Sequence, residues 1–296
     1  MRDRLERLLG TGVDSLHDLG SSHSWTLHRA SLADGREVFV KAASESAVRD
    51  RRATGAGGGA FAAEAAGLRW LAAAPSAPAG LEAPVPEVVA QDEYMLVLPW
   101  LPSASPTPSA ADRLGRELAA LHTDARPTTY GAPWDGYIAD LPLDNTPDDR
   151  GWPSWYAERR LEPFLRLGAR HLSSADVRLI ERVMADIETL AGPPEPPSRV
   201  HGDLWSGNIL WTDGRALLID PATHGGHRET DLAMMALFGT PHLERILAAY
   251  DEAAPLADGW RTRIPLHQLH PLLVHVALFG GSYRASLIEA AHTTLT

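Results

Sequence analysis

One stretch constrains this 296-residue chain more than any other: HGDLWSGNILW at residues 201–211, followed by LLIDPA at 217–222. Asp203 and Asn208 have four residues between them, and His201 stands two before the Asp. An apolar run follows the Asn, then the turn Thr212-Asp213-Gly214, a second apolar run and a second carboxylate, Asp220. That order has a chemical logic. One carboxylate accepts the proton of an attacking hydroxyl. A carboxamide oxygen five positions on reaches round the loop to a Mg²⁺ ion, and a carboxylate at the end of the next strand binds the metal that bridges the nucleotide phosphates. Mg²⁺ takes hard oxygen donors and keeps several waters, so one Asn and one Asp suffice. An isolated Asp-x-x-x-x-Asn more often caps a turn. The combination with His201, both apolar runs and Asp-Pro-Ala is what points to phosphoryl transfer. On this reading Asp203 is the catalytic base, Asn208 and Asp220 are the metal ligands, and His201 orders the loop through hydrogen bonds.

Phosphoryl transfer from ATP needs a cation on the phosphates, and Lys41 in REVFVKAA ends an apolar strand where such a lysine belongs. It requires a carboxylate to hold it. Glu64, in the Ala-rich helical run FAAEAAGLRWLAAA, is the candidate, with Glu45 as competitor. The phosphate-covering loop is expected between the first two strands, at Gly20-Ser21-Ser22-His23-Ser24. Its single glycine leaves two readings, a polar turn or a cradle in which backbone N–H groups and the hydroxyls of Ser21 and Ser22 meet phosphate. The apparent hinge is LVLPWL. Because Pro99 has no N–H, adenine is expected to meet the C=O of Leu98 and the N–H of Trp100.

The rest of the chain sorts around these residues. Residues 1–19 read as an amphipathic helix followed by a turn. Ser24–Leu32 and Arg36–Ala42 read as a hairpin closed by Ala33-Asp34-Gly35. Ser44–Gly59 reads as a mobile loop, the helix that follows is limited by Pro75, and Val85–Val89 and Tyr94–Leu98 read as two strands. PWLPSASPTPSA is a proline-rich crossing. Beyond it helices are expected over 111–123, 153–168, 174–191, 230–252 and 265–293, interrupted by the strands Asn208–Trp211 and Ala216–Ile219. A composition of 44% hydrophobic and 22% charged residues suits a packed core. The absence of cysteine excludes disulfides, thiolate nucleophiles and zinc fingers. A net charge of -11 argues against a nucleic-acid partner. No run approaches the roughly 18 apolar residues of a membrane span, and MRDRLERLLG lacks the apolar core of a signal peptide. A cytoplasmic location is therefore expected.

Several segments together resemble the fructosamine kinase (ketosamine 3-kinase) family, within the aminoglycoside-phosphotransferase-like and protein-kinase-like superfamily. They are HGDLWSGN, DPA and GHRETDLAMMALFG (226–239), with DGREVFVKAA, FAAEAAGLRWL, GRELAALH (115–122), YGAPWDGYI (130–138), WYAERRLEPFLRLG (155–168) and LHPLLVHVALFGGSY (269–283). The resemblance covers nearly the whole chain. It implies an α+β, bilobal protein-kinase-like fold, with a nucleotide-binding lobe over 1–98, a hinge and linker over 99–110, and a helical catalytic and substrate lobe over 111–296. It also implies ATP and Mg²⁺ as cofactors, Asp203 as base, Asn208 and Asp220 as metal ligands and a Lys41–Glu64 ion pair. The implied reaction is phosphorylation of the third-carbon hydroxyl of a ketoamine, a fructosamine or ribulosamine, free or on a glycated lysine of a protein. The product breaks down and releases the amine. The sparse phosphate loop and Pro99, where a carboxylate is common, depart from the family pattern.

Spacing independently favours a small substrate. The interval between Lys41 and Asp203 is longer than in a protein kinase, its excess is helical and rich in Trp and Pro, and no A-P-E segment follows Asp220. Trp134, Trp152 and Trp155 suit core packing. Trp205 lies inside the catalytic loop, where an indole can stack on a sugar face or a cationic amine. Other alcohols (an aminoglycoside, choline, homoserine) remain alternative acceptors. A nucleotide-binding pseudokinase is disfavoured by the full set of catalytic residues.

Overall fold

The computed structural model of the chain describes residues 1–22, 24–44, 59–73 and 81–296. Residues 45–58 of the expected loop, Glu45 among them, lie outside the described residues, as do His23 and Pro75. The first helix, α1 (Arg2–Leu9), is shorter than the periodicity suggests. Gly10 closes it at φ 68°, with its N–H on the Glu6 carbonyl. Residues expected as helix and turn instead form a ten-residue strand, β1 (Val13–Ser22). Most of its side chains are exposed, so it carries little alternation to read. Its place is set by pairing with β2 (Trp25–Leu32).

With β3 (Glu37–Ala43), helix α2 (Gly59–Ala72), β4 (Ala90–Gln91) and β5 (Met95–Pro99) the first part of the chain builds an antiparallel sheet in the order β1-β2-β3-β5-β4. The hairpin expected at Ala33-Asp34-Gly35 joins β2 to β3, with Gly35 at φ 85°. No strand forms over the expected Val85–Val89; the two-residue β4 follows directly after it. Pro84 and Pro86 cannot donate to a ladder, and Val89 is the first residue of the segment to bond to β5, through its N–H to the Val97 carbonyl at 3.0 Å. Strand side chains alternate between faces. Val38, Val40 and Ala42 therefore pack on one side with Leu5 of α1. Phe39 lies on the other face, with Leu96, Leu98 and Phe61, Ala65 and Leu68 of α2. Lys41 has the parity of Phe39, and Glu64 lies one helical turn from Phe61 and Leu68. Period 2 on the strand and period 3.6 on the helix thus bring both to the same interface.

The remainder is mainly helical: α3 (Pro108–Thr123), a small hairpin β6 (Gly136–Ile138) and β7 (Leu141–Leu143), α4 (Trp152–Tyr156), a π-helical turn at Ala157–Leu161, α5 (Glu162–Gly168), α6 (Ser174–Ala185) and α7 (Ile187–Leu190). Then come β8 (Ser198–Val200), β9 (Ile209–Thr212), β10 (Arg215–Leu218), β11 (His224–Gly226), α8 (Glu229–Leu237), α9 (Leu243–Ala253), α10 (Trp260–Phe279) and α11 (Arg284–Thr294). The helix expected over 230–252 is two helices, parted where Gly239 takes φ 75° and Pro241 follows. That over 265–293 starts earlier, at Trp260, and breaks at Gly280. Pro271 lies inside α10 and cannot donate to the carbonyl one turn back. The Tyr156 hydroxyl fills the gap. It lies 3.2 Å from the His267 carbonyl and 3.0 Å from that of Leu266, and accepts the His270 N–H at 3.1 Å.

Trp152 and Trp155 are buried in the core of the helical part, as expected. A second core joins Leu114 and Leu118 of α3, Ile209 and Trp211 of β9, Leu218 of β10, Leu232 of α8 and Tyr250 of α9, and it includes Leu71 of α2. The β9–β10 hairpin, which carries the central motif, is thus seated against α2 of the first part and the helices of the second at once. Among the described residues no helix is long and apolar enough to cross a membrane.

Candidate active site

A cavity of about 900 Å³ runs between the sheet and the helical part. Lys41 reaches it from β3 and bonds to Glu64 of α2 at 2.8 Å and also to Asp220, just past β10. Burial works against its ammonium, but Glu64 and Asp220 outweigh burial and hold its pKa above the ordinary lysine value. Burial pushes the Glu64 carboxyl up, against the pull of Lys41. Asp220 takes φ 56°, a left-handed conformation that Asp tolerates better than most residues. Its side chain keeps 53% of its surface exposed, toward the cavity.

Asp203 and Asn208 face this cluster from the loop before β9. The Asn208 amide donates to the Asp203 carbonyl at 2.8 Å and to its Oδ2 at 3.0 Å. That assignment leaves the Asn208 carboxamide oxygen free to accept a cation. Burial and the charge of Asp220 push the Asp203 carboxyl up to about 7, against the Asn208 hydrogen bond. A carboxyl poised there suits proton transfer near neutral pH. His201 plays the ordering part expected of it: its Nε2 bonds to the Ile219 carbonyl at 3.0 Å, and its Nδ1 accepts the Asp203 N–H at 3.3 Å. The Asn208 and Asp220 oxygens are the hard donor set that Mg²⁺ prefers, beside a water-accessible space.

Two residues that motif reading left without a role hold the loop from behind. Asp231 on α8, fully buried, accepts the N–H groups of His201 at 2.7 Å and Gly202 at 2.9 Å, and bonds to His122 of α3 at 3.1 Å. His122 in turn bonds to the Tyr250 hydroxyl at 2.9 Å. Burial opposes the Asp231 charge, yet His122, His201 and the Gly202 N–H keep its carboxyl below the usual range. Gly202 is required here. It takes φ 83°, and a Cβ would stand 2.3 Å from the Ala222 carbonyl oxygen. The only signal for Asp231 in the sequence was its place in the HRETDLAM run.

The nucleotide side needs two corrections, at the Leu98–Trp100 hook and at Ser21. Trp100 lines the cavity, but its N–H donates to the Glu37 carbonyl at 3.0 Å. In an antiparallel ladder the bonding direction alternates. The Phe39–Leu98 pair two positions along therefore also faces β3. The hook expected from Leu98 and Trp100 is already part of the sheet, and the backbone groups of alternate parity belong to Pro99 and Leu101, which line the cavity too. Ser22 lines it at the hairpin end of β1, whereas Ser21, paired with Thr26, has its side chain on the opposite face by the strand pleat. Leu27 and Phe39 of the sheet, with Leu210 of β9 and Ile219 just past β10, give the cavity apolar lining from both parts of the chain. Ser24, just past the hairpin tip, donates to Asp140 beyond β6 at 2.8 Å.

Trp205 also lines the cavity and is 39% exposed. Its ring lies over Gly207, where a Cβ would stand 2.3 Å from the indole. A further set of possible metal ligands lies elsewhere: donor atoms of His227, Glu229 and His267 fall within 4.8 Å of one another. Arg263 occupies both Glu229 oxygens, at 2.5 and 2.9 Å. A guanidinium there repels a metal cation, so the set is a buried ion-pair cluster.

The sequence profile of the fructosamine kinase family matches residues 18–296. A Synechocystis protein assigned as a ketoamine kinase is 34% identical over 226 residues, 76% of this chain and 75% of its own. One from Lactiplantibacillus plantarum is 34% identical over 229 residues, 74% and 76% of the two chains. The crystal structure of a Thermobifida fusca protein assigned as a fructosamine-3-kinase matches with a TM-score of 0.91 and 50% identity, over 100% of this chain and 98% of that one. A thermostable mutant of aminoglycoside phosphotransferase APH(4)-Ia, at 15% identity, shares the fold with a TM-score of 0.63, over 98% of both chains.

Proposed function

The chain belongs to the fructosamine kinase family, and on that premise we propose that it transfers the γ-phosphate of ATP to the third-carbon hydroxyl of a ketoamine, a fructosamine or ribulosamine. The observation that carries this reading is the placement of the Lys41–Glu64–Asp220 cluster opposite Asp203 and Asn208 in one cavity. Lys41, fixed by Glu64, neutralises the nucleotide phosphates. Ser22 lies at their loop, and the apolar lining from Phe39 and Ile219 takes adenine. The adenine edge is then served by the C=O of Pro99 and the N–H of Leu101. Asn208 and Asp220 would hold Mg²⁺, which supplies charge neutralisation to the transferring phosphoryl group. Asp203 receives the proton of the attacking hydroxyl, and Trp205 lines the sugar-amine site. Residues 1–98 serve as the nucleotide lobe, 99–110 as hinge and linker, and 111–296 as the catalytic lobe.

Catalysis on this scheme is positioning plus electrostatics, and the chain has little covalent chemistry to perform. The 3-phosphate ester is unstable, and its breakdown releases the amine, so the activity amounts to deglycation in the cytoplasm. The test is ³¹P detection of transfer from ATP to ribulose- and fructose-amine compounds, with an aminoglycoside, choline and homoserine as comparators. Transfer to a comparator and to no ketoamine would overturn the reading.

A further inference from the structure

The cavity walls differ on the two sides of Asp203. On one side lie Lys41, Glu64, Asp220 and the apolar lining assigned to adenine. On the other, a continuous aromatic surface leads away from the base. Trp205 meets Phe238 edge to face at 6.2 Å between ring centroids, Phe238 meets His275 at 5.0 Å, His275 meets Tyr283 at 4.6 Å, and Tyr283 meets Phe279 at 6.0 Å. Trp205, Phe238 and Phe279 are 39%, 37% and 52% exposed. They make up half of the exposed large hydrophobic side chains among the described residues, gathered at one end of one cavity. Apolar surface concentrated in this way marks a place where something binds.

Charge narrows what that is. Among the described residues lining the cavity the only Lys or Arg is Lys41, and Glu64 and Asp220 already hold it. The aromatic wall carries no Asp or Glu either. His275 turns its Nδ1 to the Pro271 carbonyl at 2.7 Å, and burial lowers its pKa, so the ring is neutral. A carboxylate on the substrate would therefore meet aromatic faces and the carboxyl groups of Asp203 and Asp220, with no free cation among the described lining residues to receive it. A protonated amine and an alkyl or aryl chain would find π-faces and apolar cover.

Geometry sets which end of the substrate lies here. The reacting hydroxyl must sit between Asp203 and the phosphates at Lys41, so the rest of the acceptor extends to the far side of Asp203. We propose that the wall formed by Trp205, Phe238, His275, Tyr283 and Phe279 binds the substituent on the ketoamine nitrogen. It selects compounds whose nitrogen carries an extended alkyl or aromatic group over those with a carboxylate next to it. This rests on the ketoamine kinase reading above.

The test is a series of ketoamines with one sugar head and N-methyl, N-hexyl, N-benzyl or N-carboxymethyl groups, each assayed for kcat/KM with the full-length enzyme. The hexyl and benzyl compounds should exceed the methyl one by roughly tenfold or more, the scale on which apolar pockets discriminate. The carboxymethyl compound should fall below it. Phe238→Ala should collapse the hexyl-to-methyl ratio toward one, whatever it does to the methyl compound itself. Phe279→Arg, which adds a cation at the most exposed ring, should raise the carboxymethyl-to-methyl ratio, a gain that misfolding cannot imitate. Equal use of all four compounds, or preference for the carboxymethyl one, would overturn this inference alone. Failure to use any ketoamine while another alcohol is phosphorylated would remove the ketoamine reading and this inference with it.

Discussion

Asp231 offers the sharpest test of how the catalytic loop is held. Its carboxylate is completely buried and receives the N–H groups of His201 at 2.7 Å and Gly202 at 2.9 Å, and it bonds to His122 at 3.1 Å. Asp231→Asn preserves shape but removes the charge and turns one acceptor into a donor. Whichever oxygen is replaced, one backbone N–H of the loop then faces an NH₂ group. A hydrogen bond to a charged group contributes about 1.5–3 kcal/mol, and a stranded buried donor costs about 1–3 kcal/mol. Breaking a buried charged network by removing one partner costs about 3–5 kcal/mol. We therefore expect the variant to lose about 3–5 kcal/mol of stability, read as the shift of the urea midpoint at unchanged m-value. The same change releases the backbone immediately before Asp203, so kcat should drop at least about tenfold, the effect of about 1.4 kcal/mol on the barrier. Nucleotide affinity, measured by calorimetry with an ATP analogue, should change less, because Asp231 lies beneath the loop and does not line the cavity. A variant with wild-type midpoint and wild-type kcat would refute the argument that this carboxylate positions the loop.

Further outcomes follow from other residues of the site. Asp203→Asn and Asp220→Ala should each reduce turnover by at least about a hundredfold, several kcal/mol of transition-state stabilisation, while circular dichroism stays unchanged; near-normal turnover in either would remove its assigned role. Trp205→Ala should lower kcat/KM for ketoamines by about two- to thirtyfold, the loss of about 0.5–2 kcal/mol of stacking, with Trp205→Phe retaining most of it; equal behaviour of both variants and the wild type would make Trp205 a packing residue. Acid should destabilise the fold. Burial holds His224 and His227 down to about 3, and His270 well below its ordinary value. These side chains stay neutral in the folded state, while the unfolded chain takes up protons as pH falls through about 6.5. Asp203 and Glu64, raised by burial, act in the opposite sense. With three histidines against two carboxyls the unfolded state still binds about one proton more, so stability should fall by roughly 1 kcal/mol per unit between pH 6 and 5. Urea titrations that show equal or greater stability at pH 5 than at pH 7 would contradict this balance.

By itself the sequence determined the features whose physics is local. Asp203, Asn208 and Asp220 belong to one loop and one hairpin, so their spacing along the chain already dictates that they share a site, and the structure brings their side chains together. Lys41 and Glu64 were legible for a related reason. Strand parity and helical period each decide which face a side chain takes, and both faces are apolar-coded. The elements that were misread carry weak local patterns. Strand β1 is mostly exposed and exists through its pairing with β2, and β4 is two residues long because prolines precede it. The long helices were visible by period, but their breaks rest on single glycines and prolines. Tertiary structure alone decided what depends on contacts between distant segments. The register of β5 on β3 commits the Trp100 N–H to Glu37 and shifts the free backbone groups to Pro99 and Leu101. The descent of α8 beneath the loop gives Asp231 its partners. The convergence of α8, α10 and the turn before α11 assembles the aromatic wall from residues as far apart in sequence as Trp205 and Tyr283. Spacing within one element is a property of the chain, whereas register and convergence are set by which buried surfaces meet. No short pattern of residue types encodes that meeting.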